Sequence, residues 1–121
     1  MNHYIYIFIG GGLGAMLRFG ISSWLNNGPQ IAKFPIGVLA CNILGCFAIG
    51  LLFAWQKEQQ PQWLSPLLIT GLLGGFTTFS SFGLETYKLF DSGALLTSIL
   101  YVTATLLGSL AAVFIAIRII R

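Results

Sequence analysis

Polar residues are so sparse along this chain that the places where they gather mark out its architecture. Between those places lie four apolar runs. Residues 4–25 carry one charge, Arg18, while residues 35–55, 64–84 and 94–117 carry none. Each run is long enough for the roughly 20 residues that cross hydrocarbon as a helix. The connecting stretches are short and rich in turn formers: "NNGPQIAKF" with Asn27-Gly28-Pro29, then "QKEQQPQW", then "YKLFDSG". Trp24, Trp55 and Trp63 fall at run ends, where an amphipathic ring favours the headgroup region. The pattern predicts one all-α integral membrane domain over residues 1–121, with spans at about 4–25, 35–55, 64–90 and 94–118.

Composition agrees with the pattern. With 56% hydrophobic and 7% charged residues, a soluble domain of 121 residues would have too little charge to cover its surface. The net charge of +3 comes from six cations spread over helix ends, which fits interface anchors and not a nucleic-acid surface. The opening "MNHYIYIFIGGG" has no basic segment ahead of its apolar run, so the first span is expected to be retained and not cleaved as a leader.

Charge also bears on orientation. Alternating spans place Lys57, Arg118 and Arg121 on one face, with Lys33, Lys88 and Arg18 on or toward the other. Three against three gives the positive-inside rule nothing to act on. A single topology fixed by other cues and insertion in both orientations stand even on this ground.

Several polar or small-residue patterns could carry chemistry. "GGGLGA" at residues 10–15 fits a dinucleotide fingerprint in letters, but a chain of membrane spans has no strand and no βαβ unit to hold it. Gly10 and Gly14 read instead as a close-packing pair, and Gly37, Cys41 and Gly45 as a small-residue ridge. Cys41 and Cys46, five apart, point about 140° from each other on a helix and cannot pair. Asn42 lies in the middle of "PIGVLACNILGCFAIGLL" and must find partners away from water. An interhelical hydrogen bond is the default; an amide donor aimed into a pore is the alternative.

The third run contains "GLLGGFTTFSSF". Paired glycines weaken a helix and threonine hydroxyls bond back to the backbone, so a break is expected near Gly74–Thr78. Freed carbonyls and amides cost several kcal/mol each in hydrocarbon unless protein, water or a cation covers them. Beyond the break, Phe79 and Phe82 share a helix face, and the positive ring edge of an aromatic suits an anion. In the fourth run Thr97, Tyr101, Thr105 and Ser109 recur every four residues along one face. Hydroxyls bonded to their own i−4 carbonyls and a polar rail beside water are both open readings. Arg18, roughly 10 Å from its helix end, can snorkel to the interface or line a vestibule. Glu85 ends the third run beside Lys88, and a helix-end ion pair is its plainest role.

"GGGLGAMLRF", "GVLACNILGCF" and "GLLGGFTTFSSF", in that order, resemble the motifs of the Fluc/CrcB family of fluoride ion channels. The likeness covers the whole chain, and "GGFTTFS" with the upstream Asn is its specific part. It implies passive fluoride efflux that lowers cytoplasmic fluoride, by an inner-membrane, antiparallel, dual-topology homodimer with its third helix broken mid-membrane. It also implies a structural Na⁺ at the dimer axis, held by the backbone carbonyls of Gly74 and Thr77. Position by position, Asn42 matches the pore amide, Phe79 and Phe82 the ring-edge pair, Ser80 and Ser81 the hydroxyls between the rings, and Tyr101, Thr105 and Ser109 the polar track. Arg18 falls at a vestibule arginine and Glu85 at a carboxylate near the pathway. Val38 and Ser81 stand where the family usually has threonine, and Cys41 where it usually has valine.

The competing class is a small proton-coupled multidrug antiporter. That mechanism needs a carboxylate deep in a span, and none of the three acids, Glu58, Glu85 and Asp91, is mid-span. No nucleophile–base pair suggests an enzyme. The implied partners are fluoride, a second copy and lipid, with no nucleic acid.

Overall fold

A computed structural model describes residues 2–26, 34–56 and 60–121. The turn signal at Asn27-Gly28-Pro29 and the charges Lys33, Lys57 and Glu58 lie outside the described residues. Helix α1 runs His3–Asn26 and α2 Ile36–Trp55. The third span, Pro66–Asp91, has three parts: a wide-wound π segment Pro66–Leu73, a short α3 Gly74–Phe76, and α4 Phe79–Asp91. Helix α5 runs Leu95–Ile120. Four helical spans are therefore long and apolar enough to cross a membrane, and no strand occurs among the described residues. The protein is an all-α, multi-pass membrane protein.

Helix α1 packs on the π segment and α3, α2 packs on α5, and α4 packs on α5. Glycine sets the first of these contacts. A Cβ on Gly10 would meet the Leu67 carbonyl and come within 2.8 Å of the Leu72 amide; one on Gly14 would meet the Leu72 carbonyl and lie 2.9 Å from the Phe76 amide. From the other side, a Cβ on Gly75 would strike the carbonyl of Gly11. The two backbones touch because neither carries a side chain there, the arrangement small-xxx-small patterns allow. The ridge on α2 works the same way toward two neighbours. Gly37 faces Ser22 of α1, and Gly45 faces Thr77 and Phe76.

Helix α4 ends in a tight reversal. Gly93 takes φ +85°, the Ala94 amide donates to the Leu89 carbonyl, and the Gly93 amide donates to the Phe90 carbonyl. A left-handed residue just past the helix end closes it at no steric cost only when that residue lacks a Cβ. The reversal brings α5 back along α4. Val38, Phe82, Leu89 and Tyr101 form the core at that junction, with Phe34, Leu39, Ala94 and Val102 against it. Large apolar side chains cover much of the exterior, Phe8, Phe19, Leu96 and Phe114 among them, as expected of a surface solvated by lipid or protein. Trp24, Trp55 and Trp63 are all exposed at span ends.

Candidate functional site

The site begins where α3 stops. Thr77 (φ −88°, ψ 155°) and Thr78 (φ −153°, ψ 125°) are extended, so two residues of strand-like backbone separate α3 from α4. The Thr77 amide still donates to the Leu73 carbonyl, and the Thr77 hydroxyl donates to the same oxygen at 3.0 Å. At Thr78 the helical pattern is abandoned. Its amide donates to Asn42 Oδ1 at 2.8 Å, and its carbonyl accepts from Asn42 Nδ2 at 3.1 Å. One carboxamide thus takes both backbone groups of one residue, across 36 positions of sequence. The Thr78 hydroxyl caps α4 by accepting from the Ser81 amide at 3.2 Å, and it lies 3.2 Å from Ser80 Oγ.

These bonds divert amides from their helical acceptors. In a continuous helix the Thr78 amide would bond the Gly74 carbonyl and the Ser81 amide would bond that of Thr77. Both are engaged by side-chain oxygens instead. The carbonyls of Gly74 and Thr77 are therefore without their regular donors. Gly75 differs, because its carbonyl accepts from Arg18 Nε at 3.1 Å, while Arg18 Nη1 lies 3.5 Å from Ser81 Oγ. Arg18 is half-buried and turned into the protein, toward the break, and not outward to the end of its helix.

A cavity of about 280 Å³ opens on the α5 side of the break. Asn42, Cys46, Thr77, Thr78, Phe79 and Phe82 border it, and Thr105 and Ser109 face them from α5. The rings of Phe79 and Phe82 sit 5.6 Å apart, and Phe82 packs on Tyr101 at 5.4 Å, which in turn meets the edge of Phe34 at 5.6 Å. Phe82 is buried, whereas Phe79 is exposed on the outer surface. The hydroxyls of Tyr101, Thr105 and Ser109 are buried and none is held at full hydrogen-bond geometry among the described residues, although those of Tyr101 and Thr105 interact with each other. A buried hydroxyl left so costs about 1–3 kcal/mol. Elsewhere in the chain threonines do bond back, Thr77 to Leu73 and Thr86 to Phe82. Back-bonding is therefore not what Thr105 does. Asn42 keeps one amide proton beyond the one given to Thr78.

Not every candidate reaches this cavity. Tyr101 is fully buried behind Phe82 and does not border it. Ser80 points to the exposed side, Ser81 lies toward Arg18, and Glu85 pairs with Lys88 at 3.8 Å. Thr97, the first hydroxyl of the α5 row, also lies away from it. Two contacts lay beyond sequence reading. Ser98 Oγ reaches the Thr86 carbonyl at 3.5 Å, and Cys41 Sγ nests 3.6 Å from Ser22 Oγ, fixing α2 on α1. Neither carries a periodic signal.

Residues 5–117 match the family model described as CrcB-like protein, Camphor Resistance (CrcB). The chain is 41% identical over 122 residues to a protein named fluoride-specific ion channel FluC from Paracoccus denitrificans, a match covering 100% of this chain and 97% of that one. It is also 41% identical over 121 residues to a protein of the same name from Chloroflexus aurantiacus, covering 97% of this chain and 94% of the relative. A protein named FluC 2 from Nocardia farcinica is 45% identical over 112 residues, covering 88% and 76%. With the match running nearly end to end and through every element of the site, this four-span membrane protein belongs to the CrcB family.

Proposed function

We propose that the protein is a fluoride-selective channel that lets fluoride leave the cytoplasm across the inner membrane down its gradient. The observation that carries the reading is the convergence of unspent hydrogen-bond donors on one cavity. The second amide proton of Asn42 and the hydroxyls of Thr105 and Ser109 border it, with the rings of Phe79 and Phe82 alongside. A small, hard anion loses its hydration shell on entering a protein and needs such partial positive charge in return. Neutral donors and ring edges supply it in small portions, so the ion is held without being trapped.

The functional unit in this reading is an antiparallel homodimer. Phe79 is 78% exposed on a single copy, and Gly74, Ser80 and Gly83 are exposed on the same span. A pathway passing both rings needs a second chain to wall that side. The balanced charge count leaves insertion in both orientations open to the chain. The extended pair Thr77–Thr78 supports a break of the third span within the bilayer, and the carbonyls of Gly74 and Thr77 suit a monovalent cation, since both lack their helical donors. Bound between two copies, Na⁺ would neutralise those oxygens where no water reaches them.

Liposomes carrying the purified protein are the test. They should release fluoride quickly, read with a fluoride electrode, and hold chloride. Fluoride retained as well as by protein-free liposomes would end the proposal.

A further inference from the structure

Arg18 and Asn42 reach the break from different helices, α1 and α2, and between them they hold three backbone groups on its two sides. Arg18 Nε takes the Gly75 carbonyl; Asn42 takes the amide and the carbonyl of Thr78. Arg18 also extends toward Ser81 Oγ, on the first turn of α4, so one guanidinium spans from the end of α3 to the start of α4. Its positive charge lies against the carbonyl end of a helical segment, where the backbone dipole is negative. The donors of a guanidinium are fixed in one plane on separate nitrogens, which lets a single side chain hold two acceptors at a set separation; an ammonium's three donors rotate about one nitrogen and fix no such separation.

We infer that Arg18 and Asn42 are positioning residues, a two-point clamp that keeps Gly75–Ser81 out of a continuous helix and thereby decides which carbonyls stay open. Without the clamp the Thr78 amide is free to return to the Gly74 carbonyl, closing the helix and removing an oxygen from the face of the third span. The same displacement would draw Thr78 away from the cavity and Phe79 around the helix axis. Arg18 in this role acts through the backbone and not as a charge that gathers anions. The link to a bound cation rests on the dimer reading proposed above; the clamp itself rests on the hydrogen bonds.

Two variants separate the roles, Arg18→Gln and Arg18→Lys, each in full-length protein reconstituted into liposomes or held in detergent. Hydrogen exchange of a peptide covering Thr78 and Ser81 reads the clamp directly. Both variants should exchange there about tenfold faster than wild type, because lysine restores the charge without the fork. The Na⁺ concentration giving half-maximal thermal stabilisation should rise about tenfold in both, read against a potassium control. If Arg18→Lys exchanges like wild type and keeps full flux, the charge alone matters and the clamp is wrong. Should Arg18→Gln fail to fold, Arg18→Lys still decides, and Asn42→Asp gives an independent reading: it removes the donor to the Thr78 carbonyl and should also speed exchange. Unchanged exchange in Asn42→Asp counts against the clamp. A wild type indifferent to Na⁺ would defeat the cation proposal while exchange continued to judge the clamp, and a wild type without fluoride flux would defeat the channel proposal in the same separable way.

Discussion

The two sides of the third span use similar small residues to opposite ends. Toward α1, Gly71 and Gly75 press against the backbone around Gly10, Gly11 and Gly14, and no side chain intervenes. Toward α5, Thr77, Thr78, Phe79 and Phe82 face a cavity bordered by hydroxyls not held at full hydrogen-bond geometry. One side is closed by van der Waals contact between backbones; the other is left with hydrogen-bonding capacity unspent. Small or polar residues in a membrane helix therefore say little by themselves. What separates packing from function is whether the polar groups they expose are already satisfied.

Substitutions on the two sides should fail in different ways. Gly14→Leu places a side chain into the Leu72 carbonyl and the Phe76 amide, where only backbone could yield. The expected cost exceeds roughly 3 kcal/mol, seen as loss of monodisperse protein on size exclusion. A folded, active Gly14→Leu would show that the closed side is looser than drawn. Asn42→Asp should leave folded protein but reduce fluoride efflux about a hundredfold or more, because a carboxylate offers an anion repulsion in place of a donor. Phe82→Ile keeps apolar bulk and removes the ring edge. Efflux should fall about threefold to tenfold, the scale of one aromatic interaction, and undiminished flux would remove the ring from the mechanism. Ser109→Ala deletes a hydroxyl that bonds nothing in the described structure, so it should leave stability unchanged or improved while slowing efflux about threefold. The smallest effect belongs to Gly20→Ala, which meets nothing within 4 Å and should shift stability by less than about 1 kcal/mol.

The four spans were legible because the bilayer imposes length and apolarity on any helix that crosses it, and polar residues can gather only between crossings. The Gly10–Gly14 contact was legible for a related reason: spacing along one helix is enough to mark a face that a neighbour can approach. Arg18 was not. Its sequence position allowed an outward or an inward course, and the choice fell to a carbonyl 57 residues away that becomes available only where the third span stops being helical. Asn42 presents the same difficulty. A buried amide announces that it needs partners, but not that both would be backbone groups of Thr78. The row on α5 was open between back-bonding and a free rail; in the fold the Thr105 and Ser109 hydroxyls bond no backbone carbonyl among the described residues. The wide turns of Pro66–Leu73 left no pattern in the letters; they lie where the backbone of α1 packs against the span.

Phe79 carries a consequence for the cell. In the antiparallel pair proposed above, the ring that one polypeptide leaves bare is housed by its neighbour, so each route for the ion borrows a wall from the other molecule. On that proposal a crippled allele made alongside a sound one would spoil both conduits of a mixed pair, and fluoride tolerance should then drop by more than the lost gene dose; a drop no greater than the gene dose would count against shared walls.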